Sequence, residues 1–266
     1  MQETSHISDN DQHLVIRIGR TSIAFLTLQG QQVADYEETE MKGGISAAAN
    51  LREWLKSHPQ LTASRDQADI LLLSPTLLVP SDEFDAEDAA PLYRYTFTGH
   101  DRDVVVHQAV AGLHAIVVFG IDKDLHTVLA DTFATCRWQP VCLPVWRYEG
   151  KQRGKDEKNR KRLYVYLHDG QADLFSFNGS HFKFSNTFEA THAKDVLYYV
   201  LNAFTQQGMK ASRDEVVVLD SMTNKQWLTQ QMAAYVGQVT VPDMQALTPD
   251  ASQYPTMPPD LVFSIW

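Results

Sequence analysis

Arg17, Ile18, Gly19, Arg20, Thr21 and Ser22 are consecutive, and most of the six carry side chains that can do chemistry. Two guanidiniums beside two hydroxyls can hold an anion without a metal, because arginine pairs well with phosphate or carboxylate. The simpler reading is structural: Arg17 pairs with a carboxylate across a sheet and Arg20 points to water. The simpler reading is preferred, and the sequence leaves both open.

Elsewhere the reactive residue types do not converge. The chain has 10 histidines, yet none forms an i, i+4 pair with carboxylates on a convincing helix. His100, His107 and His114 recur at intervals of seven, but glycine and strand-like residues lie between them, so they are read as unrelated. No Ser, His and Asp set can be assembled from sequence. The 2 cysteines, Cys136 and Cys142, fit no common zinc spacing and are expected to be reduced, buried thiols. The one strongly basic run, KQRGKDEKNRKR from Lys151 to Arg162, reads as a solvated linker or hairpin loop rather than a binding patch.

The elements that must position Arg17 repeat along the chain. Leu14 to Gly30 reads LVIRIGRTSIAFLTLQG, and Leu163 to Gly179 reads LYVYLHDGQADLFSFNG, 149 residues later. Each opens a three-stranded meander. The first is predicted over Leu14 to Ile18, Ser22 to Leu28 and Val33 to Thr39, the second over Leu163 to Leu167, Ala172 to Phe177 and His181 to Phe188. Asp169-Gly170 and Asn178-Gly179 are the dipeptides that best supply the positive φ angles of tight hairpin turns.

The elements after each meander repeat as well. Ala48, Leu51, Trp54 and Leu55 fall at helical spacing within 46 to 58, and Val196, Tyr199, Val200, Ala203 and Phe204 do so within 193 to 206. Wholly apolar strands come next, at Ile70 to Leu73 and, 146 residues on, Val216 to Leu219, a pattern expected of strands buried on both faces. Both copies end on a helix and a strand: Asp122 to Phe133 then Pro140 to Val145, and Lys225 to Val236 then Gln238 to Val241. The first copy holds an insertion at about Pro75 to Leu113, with the acidic segment SDEFDAEDAA and two strand candidates, LYRYTF and DVVVH.

Composition bounds the partners. Hydrophobic residues make up 44% of 266, with 33 acidic against 23 basic side chains and a formal net charge of -10. That sign repels phosphate backbones, so no nucleic-acid partner is expected. The N-terminal MQETSHISDNDQH lacks a signal-peptide pattern, and the apolar runs are far shorter than the ~20 residues a membrane span needs. A cytoplasmic protein with no membrane insertion is therefore predicted. The tail ends LVFSIW; its apolar side chains either fold back on the chain or dock on a partner, and folding back is preferred.

Two tandem copies of strand, strand, strand, helix, strand, helix, strand resemble the actin-like ATPase superfamily, which also contains Hsp70 and sugar kinases and has a ribonuclease H-like α/β fold. The insertion and the stretch AIVVFGIDKDLHTVLADTFATCRWQPVCLPV resemble the branch holding cell-division and pilus-assembly proteins. LVPSDEF and NTFEATHAKDVLYYVLNAF are similar to a bacterial domain-of-unknown-function family with an actin-like fold. The resemblance spans about residues 13 to 243. It implies a first lobe over 1–150, a basic linker over 151–162, a second lobe over 163–245 and a Pro-rich tail over 246–266.

In that superfamily nucleotide sits between the lobes, held by two hairpins that each read aspartate, an apolar residue and glycine. The aspartate directs magnesium through water and the glycine lets the backbone approach the phosphates. Here the first motif reads Arg17-Ile18-Gly19 and the second, aligned through Asp173, reads Tyr166-Leu167-His168. A third element, a glycine pair against adenosine, reads Leu219-Asp220-Ser221-Met222. The resemblance thus marks Arg17, Gly19, Arg20, Thr21, Ser22, Asp169, Gly170, Asp220 and Ser221 as the remains of a nucleotide cleft. With all three elements altered, no cofactor is expected, ATP with magnesium being the group the fold would otherwise take. The expected role is a non-catalytic adaptor or assembly component with an unknown protein partner, for which the C-terminal tail is one candidate contact. The alternatives are a nucleotide- or anion-binding ATPase or sensor with an altered phosphate site, and a self-associating subunit.

Overall fold

A computed structural model describes residues 12–62, 65–110, 112–153, 160–178, 181–220, 225–244 and 253–265. The chain divides into two compact units, one formed by residues up to Leu73 with Asp122–Gln139, the other by Ser74–Ile121 with Pro140–Ser264. This division differs from the boundaries read from sequence, because the insertion groups with the second repeat.

The first unit is built on β1 (Gln12–Ile18), β2 (Ser22–Gln29), β3 (Gln32–Glu40), β4 (Gln67–Leu72) and β8 (Thr135–Pro140), in the sheet order β3-β2-β1-β4-β8. β1 runs antiparallel to β2 and parallel to β4, and Leu14 to Ile18 are buried at every position, as a central strand covered on both faces requires. Helix α1 (Ala47–Ser57) is capped by Ser46, whose hydroxyl accepts from the Ala49 amide, and it lays Ala48, Leu51, Trp54 and Leu55 into the core. The Trp54 ring stacks on Phe25 of β2. Helix α3 (Lys123–Thr132) starts at the Asp122 cap and packs against α1.

In the second unit β9 (Arg162–His168), β10 (Gln171–Asn178), β11 (His181–Glu189), β12 (Glu215–Asp220) and β13 (Gln238–Thr240) take the order β11-β10-β9-β12-β13, the same topology. Helices α5 (Ala193–Gln206) and α6 (Lys225–Ala233) pack against one another and complete a core around Val165, Leu174, Val200 and Val218. The duplication extends to strand register. Arg17 pairs with Ala24 and Tyr166 with Asp173, each 149 residues further on, and the irregularity between Thr27 and Leu28 recurs between Ser176 and Phe177 at that offset. The fourth strands correct the sequence reading: Ile16 pairs with Ile70 while Val165 pairs with Val218, an offset of 148 rather than 146.

The insertion forms a three-stranded sheet of β5 (Thr76–Pro80), β6 (Val104–Val110) and β7 (Ala115–Ile121), in the order β5-β7-β6, covered by helix α2 (Ala89–Thr96). DVVVH lies at the start of β6 as expected, but LYRYTF is helical rather than a strand. Ala89 and Tyr93, one turn apart, are buried, whereas Tyr95 is 89% exposed. A second correction concerns Pro140 to Val145: the strand ends at Pro140 and Cys142–Arg153 forms α4. Pro144 falls in the first turn of that helix, where a missing amide is harmless. The predicted linker therefore begins inside α4, and residues 154–159 lie outside the described residues. Cys142 is buried as expected, Cys136 only partly. At the end of the chain α7 (Pro259–Ser264) buries Leu261, Val262 and Phe263 and packs on α4, with Phe263 stacked on Tyr148.

Candidate functional site

Each hairpin that the sequence marks is described within its own unit. In the first, Arg17 lies on β1 with 4% of its surface exposed, opposite Ala24 and beside Leu71. The turn Gly19 to Thr21 leads into Ser22, the first residue of β2. The Gly19 amide donates to the Ser22 carbonyl, and the Thr21 carbonyl accepts from the Met41 amide at 2.7 Å. The Ser22 hydroxyl donates to Glu38 Oε1 at 2.7 Å, and Glu38 also accepts from the Tyr36 hydroxyl. So one amide and one hydroxyl of the expected phosphate grip are engaged, and a carboxylate lies beside them. A negative charge at that distance opposes anion binding.

The second hairpin holds a buried polar cluster. Asp169 and Gly170 both have positive φ, 47° and 71°, the geometry of a two-residue turn whose twist matches the strands. His168, just before the turn, places Nδ1 3.1 Å from Asp169 Oδ2 and Nε2 2.9 Å from Asp173 Oδ2. The other Asp173 oxygen accepts from the Thr187 hydroxyl of β11 at 2.6 Å. Burial alone pushes the His168 pKa down, but the Asp173 charge and the hydrogen bonds to both carboxylates outweigh it and raise the value to about 9. His168 is therefore an imidazolium at neutral pH, clamped between two carboxylates.

Tyr166, at the position matching Arg17, stacks on His168 with ring centroids 4.3 Å apart. Its hydroxyl donates to Asp260 Oδ2 of α7 at 2.8 Å, and both residues are fully buried. Asp220 ends β12 and pairs with Leu167 of β9. Ser221 and Met222 lie outside the described residues, as does Gly179 of the Asn178-Gly179 turn.

These residues do not fit a magnesium nucleotide. Magnesium takes oxygen ligands, and the two motif positions offer a guanidinium and a phenol. The carboxylates nearby, Asp169 and Asp173, each already hold one nitrogen of the His168 ring. Among the described residues no group of three or more His, Cys, Asp or Glu is arranged to hold a metal ion, and no helix is long and apolar enough to cross a membrane.

Sequence reasoning marked Asp169 both as a turn residue and as a remnant of the cleft, used Asp173 only to align the second motif, and passed over Thr187 and Asp260. A carboxylate within the otherwise apolar run of β10, five residues from a histidine, was the available signal, since a buried charge needs a partner.

Residues 1–239 match the family described as "Protein of unknown function (DUF3822)". The chain belongs to that family. No curated protein matches it. Among solved structures, this DUF3822 member is similar to a Bacteroides thetaiotaomicron protein with an actin-like ATPase fold and unknown function, at a TM-score of 0.84 and 20% identity over 96% of each chain. It is also similar to a chain from the PilM–PilN type IV pilus biogenesis complex, at a TM-score of 0.64 and 9% identity over 96% of this chain and 97% of the other. This member of DUF3822 has the actin-like ATPase fold, as its repeated β-sheets imply.

Proposed function

We propose that this protein is a non-catalytic adaptor or assembly component built on the actin-like ATPase fold. The observation that carries this reading is the second hairpin, where Tyr166 is tied to Asp260 and both nearby carboxylates are spent on His168. Arg17 reverses the charge expected at the matching position of the first hairpin. The alternative of an anion sensor using Arg17, Arg20, Thr21 and Ser22 is opposed by Glu38, which holds the Ser22 hydroxyl. A partner-binding role is in keeping with the fold relative found in the PilM–PilN complex, although at 9% identity that likeness extends to fold alone.

Thermal shift and calorimetry with magnesium ATP test the reading. The expected result is no saturable heat and an unchanged melting temperature. Micromolar binding, which raises the melting temperature by mass action, overturns it.

A further inference from the structure

The insertion carries an open groove of about 400 Å³, lined by the end of β5, the acidic loop after it, and α2. Val79, Phe84 and Ala89 supply apolar surface, and Leu92 and Tyr95 line it along the helix. Its size lies within the ~300–1,000 Å³ range of clefts that bury ligands.

The walls are fixed in place. Ala89 and Tyr93 seat α2 against Val118, and the Tyr93 hydroxyl donates to Asp103 at 3.1 Å. Asp85 accepts from the Glu87 amide, and Phe84 packs on the His107 ring of β6. Yet Leu92 is 41% and Tyr95 89% exposed, three residues apart on one helical face. Two large apolar side chains beside an apolar groove, on a helix otherwise well seated, are the pattern of a surface that is covered by a partner.

Charge selects that partner. Glu83, Asp85 and Asp88 edge the groove, and no cation among the described residues pairs with them. With a net charge of -10, the protein repels acidic segments in general, and the three carboxylates add to that at the groove. We propose that this groove binds a segment of a partner protein in which apolar side chains are flanked by lysine or arginine. The apolar residues fill the groove against Val79, Phe84 and Leu92, and the cations meet the three carboxylates. Such pairing governs specificity and association rate more than affinity. The proposal rests on the adaptor reading and gives its partner a chemistry.

The probe is a short fluorescent peptide with one leucine and one phenylalanine set among lysines, compared with a twin whose lysines are glutamates. Fluorescence polarisation is expected to show saturable binding of the lysine peptide alone, weakened at high salt by screening. Leu92→Asp with Tyr95→Ser, and separately Asp85→Lys with Asp88→Lys, are each expected to weaken it about tenfold or more. Leu92 and Tyr95 are exposed, so that variant is expected to melt like the parent, whereas the lysine variant gives up the Asp85 bond to the Glu87 amide and the acidic N-cap of α2, so its binding is read well below its own melting temperature. Equal binding of both peptides, no binding of the lysine peptide at about 1 mM, or binding unchanged in both variants overturns the groove assignment. Nucleotide binding in the parallel magnesium ATP titration overturns the adaptor reading instead, so the two failures are distinct.

Discussion

The phenol of Tyr166 and the carboxylate of Asp260 meet at 2.8 Å across 94 residues of chain, both fully buried. The contact ties a central strand of the second sheet to the helix at the end of the described chain. Because Tyr166 also stacks on His168, the terminal helix, the turn residue Asp169 and the β10 carboxylate Asp173 belong to one polar cluster. Such a cluster is stable only when its members are satisfied together.

Tyr166→Phe keeps the ring and its stacking but removes the donor, leaving Asp260 short of a hydrogen bond in the interior. The expected cost is about 1–3 kcal/mol, the range for stranding a buried polar group. Urea denaturation measures it. A stability equal to the parent's would show that Asp260 finds full compensation elsewhere.

His168 makes stability depend on pH in a definite direction. Its folded pKa of about 9 lies above the ordinary ~6.5 of an unfolded histidine, so the folded state holds the proton more tightly. The contribution is fully present below about pH 6.5 and is lost as pH rises through about 9. Burial raises the pKa of Cys136 to about 11 and of Cys142 well above its usual value, so the thiols add a similar loss only above about pH 8.5. Between about pH 6.5 and 8.5 the parent is therefore expected to lose stability. His168→Gln should flatten the profile there; an equal slope in both proteins would assign it to other groups.

The sheets were legible because their signals are local. Alternating apolar residues and the Asp169-Gly170 turn mark the second meander, and the offset of 149 carries the reading to the first. α2 was misread because Tyr93, Tyr95 and Phe97 alternate like a strand, while the helical signal, Ala89 and Tyr93 one turn apart, becomes visible only through burial against Val118. Arg17 and Tyr166 stood out as substitutions in a repeated motif. The partner of Tyr166 did not, because nothing near Asp260 in sequence shows that α7 packs on α4 and places it under β9. The groove was equally hidden: SDEFDAEDAA reads as acidic surface until the fold seats it beside Leu92 and Tyr95.

Two glycines mark close approaches that a methyl group should expose. A Cβ on Gly120 of β7 would overlap the Tyr93 hydroxyl and Asp103, and one on Gly237 would overlap the backbone carbonyl of Ala211. Overpacking of this kind costs about 1–3 kcal/mol, occasionally more. Gly237→Ala is expected to be the more damaging, because a main-chain oxygen cannot swing aside as a side chain can. Thermal denaturation of both variants checks the order, and a higher melting point for Gly237→Ala would reverse it.

Arg17→Asp restores the carboxylate that an active first hairpin would carry, and so separates a lost residue from a lost site. Two outcomes are expected. The new carboxylate is buried beside Ala24 and Leu71, where a charge without its own partner is costly, so stability should fall by about 3–5 kcal/mol. Magnesium ATP should still produce no thermal shift, because the Ser22 hydroxyl remains on Glu38, Tyr166 remains bonded to Asp260, and His168 remains bonded to Asp173. A gain of saturable nucleotide binding in this single variant would mean that one substitution had silenced an otherwise intact site, which the bonded Tyr166 and His168 of the second hairpin argue against.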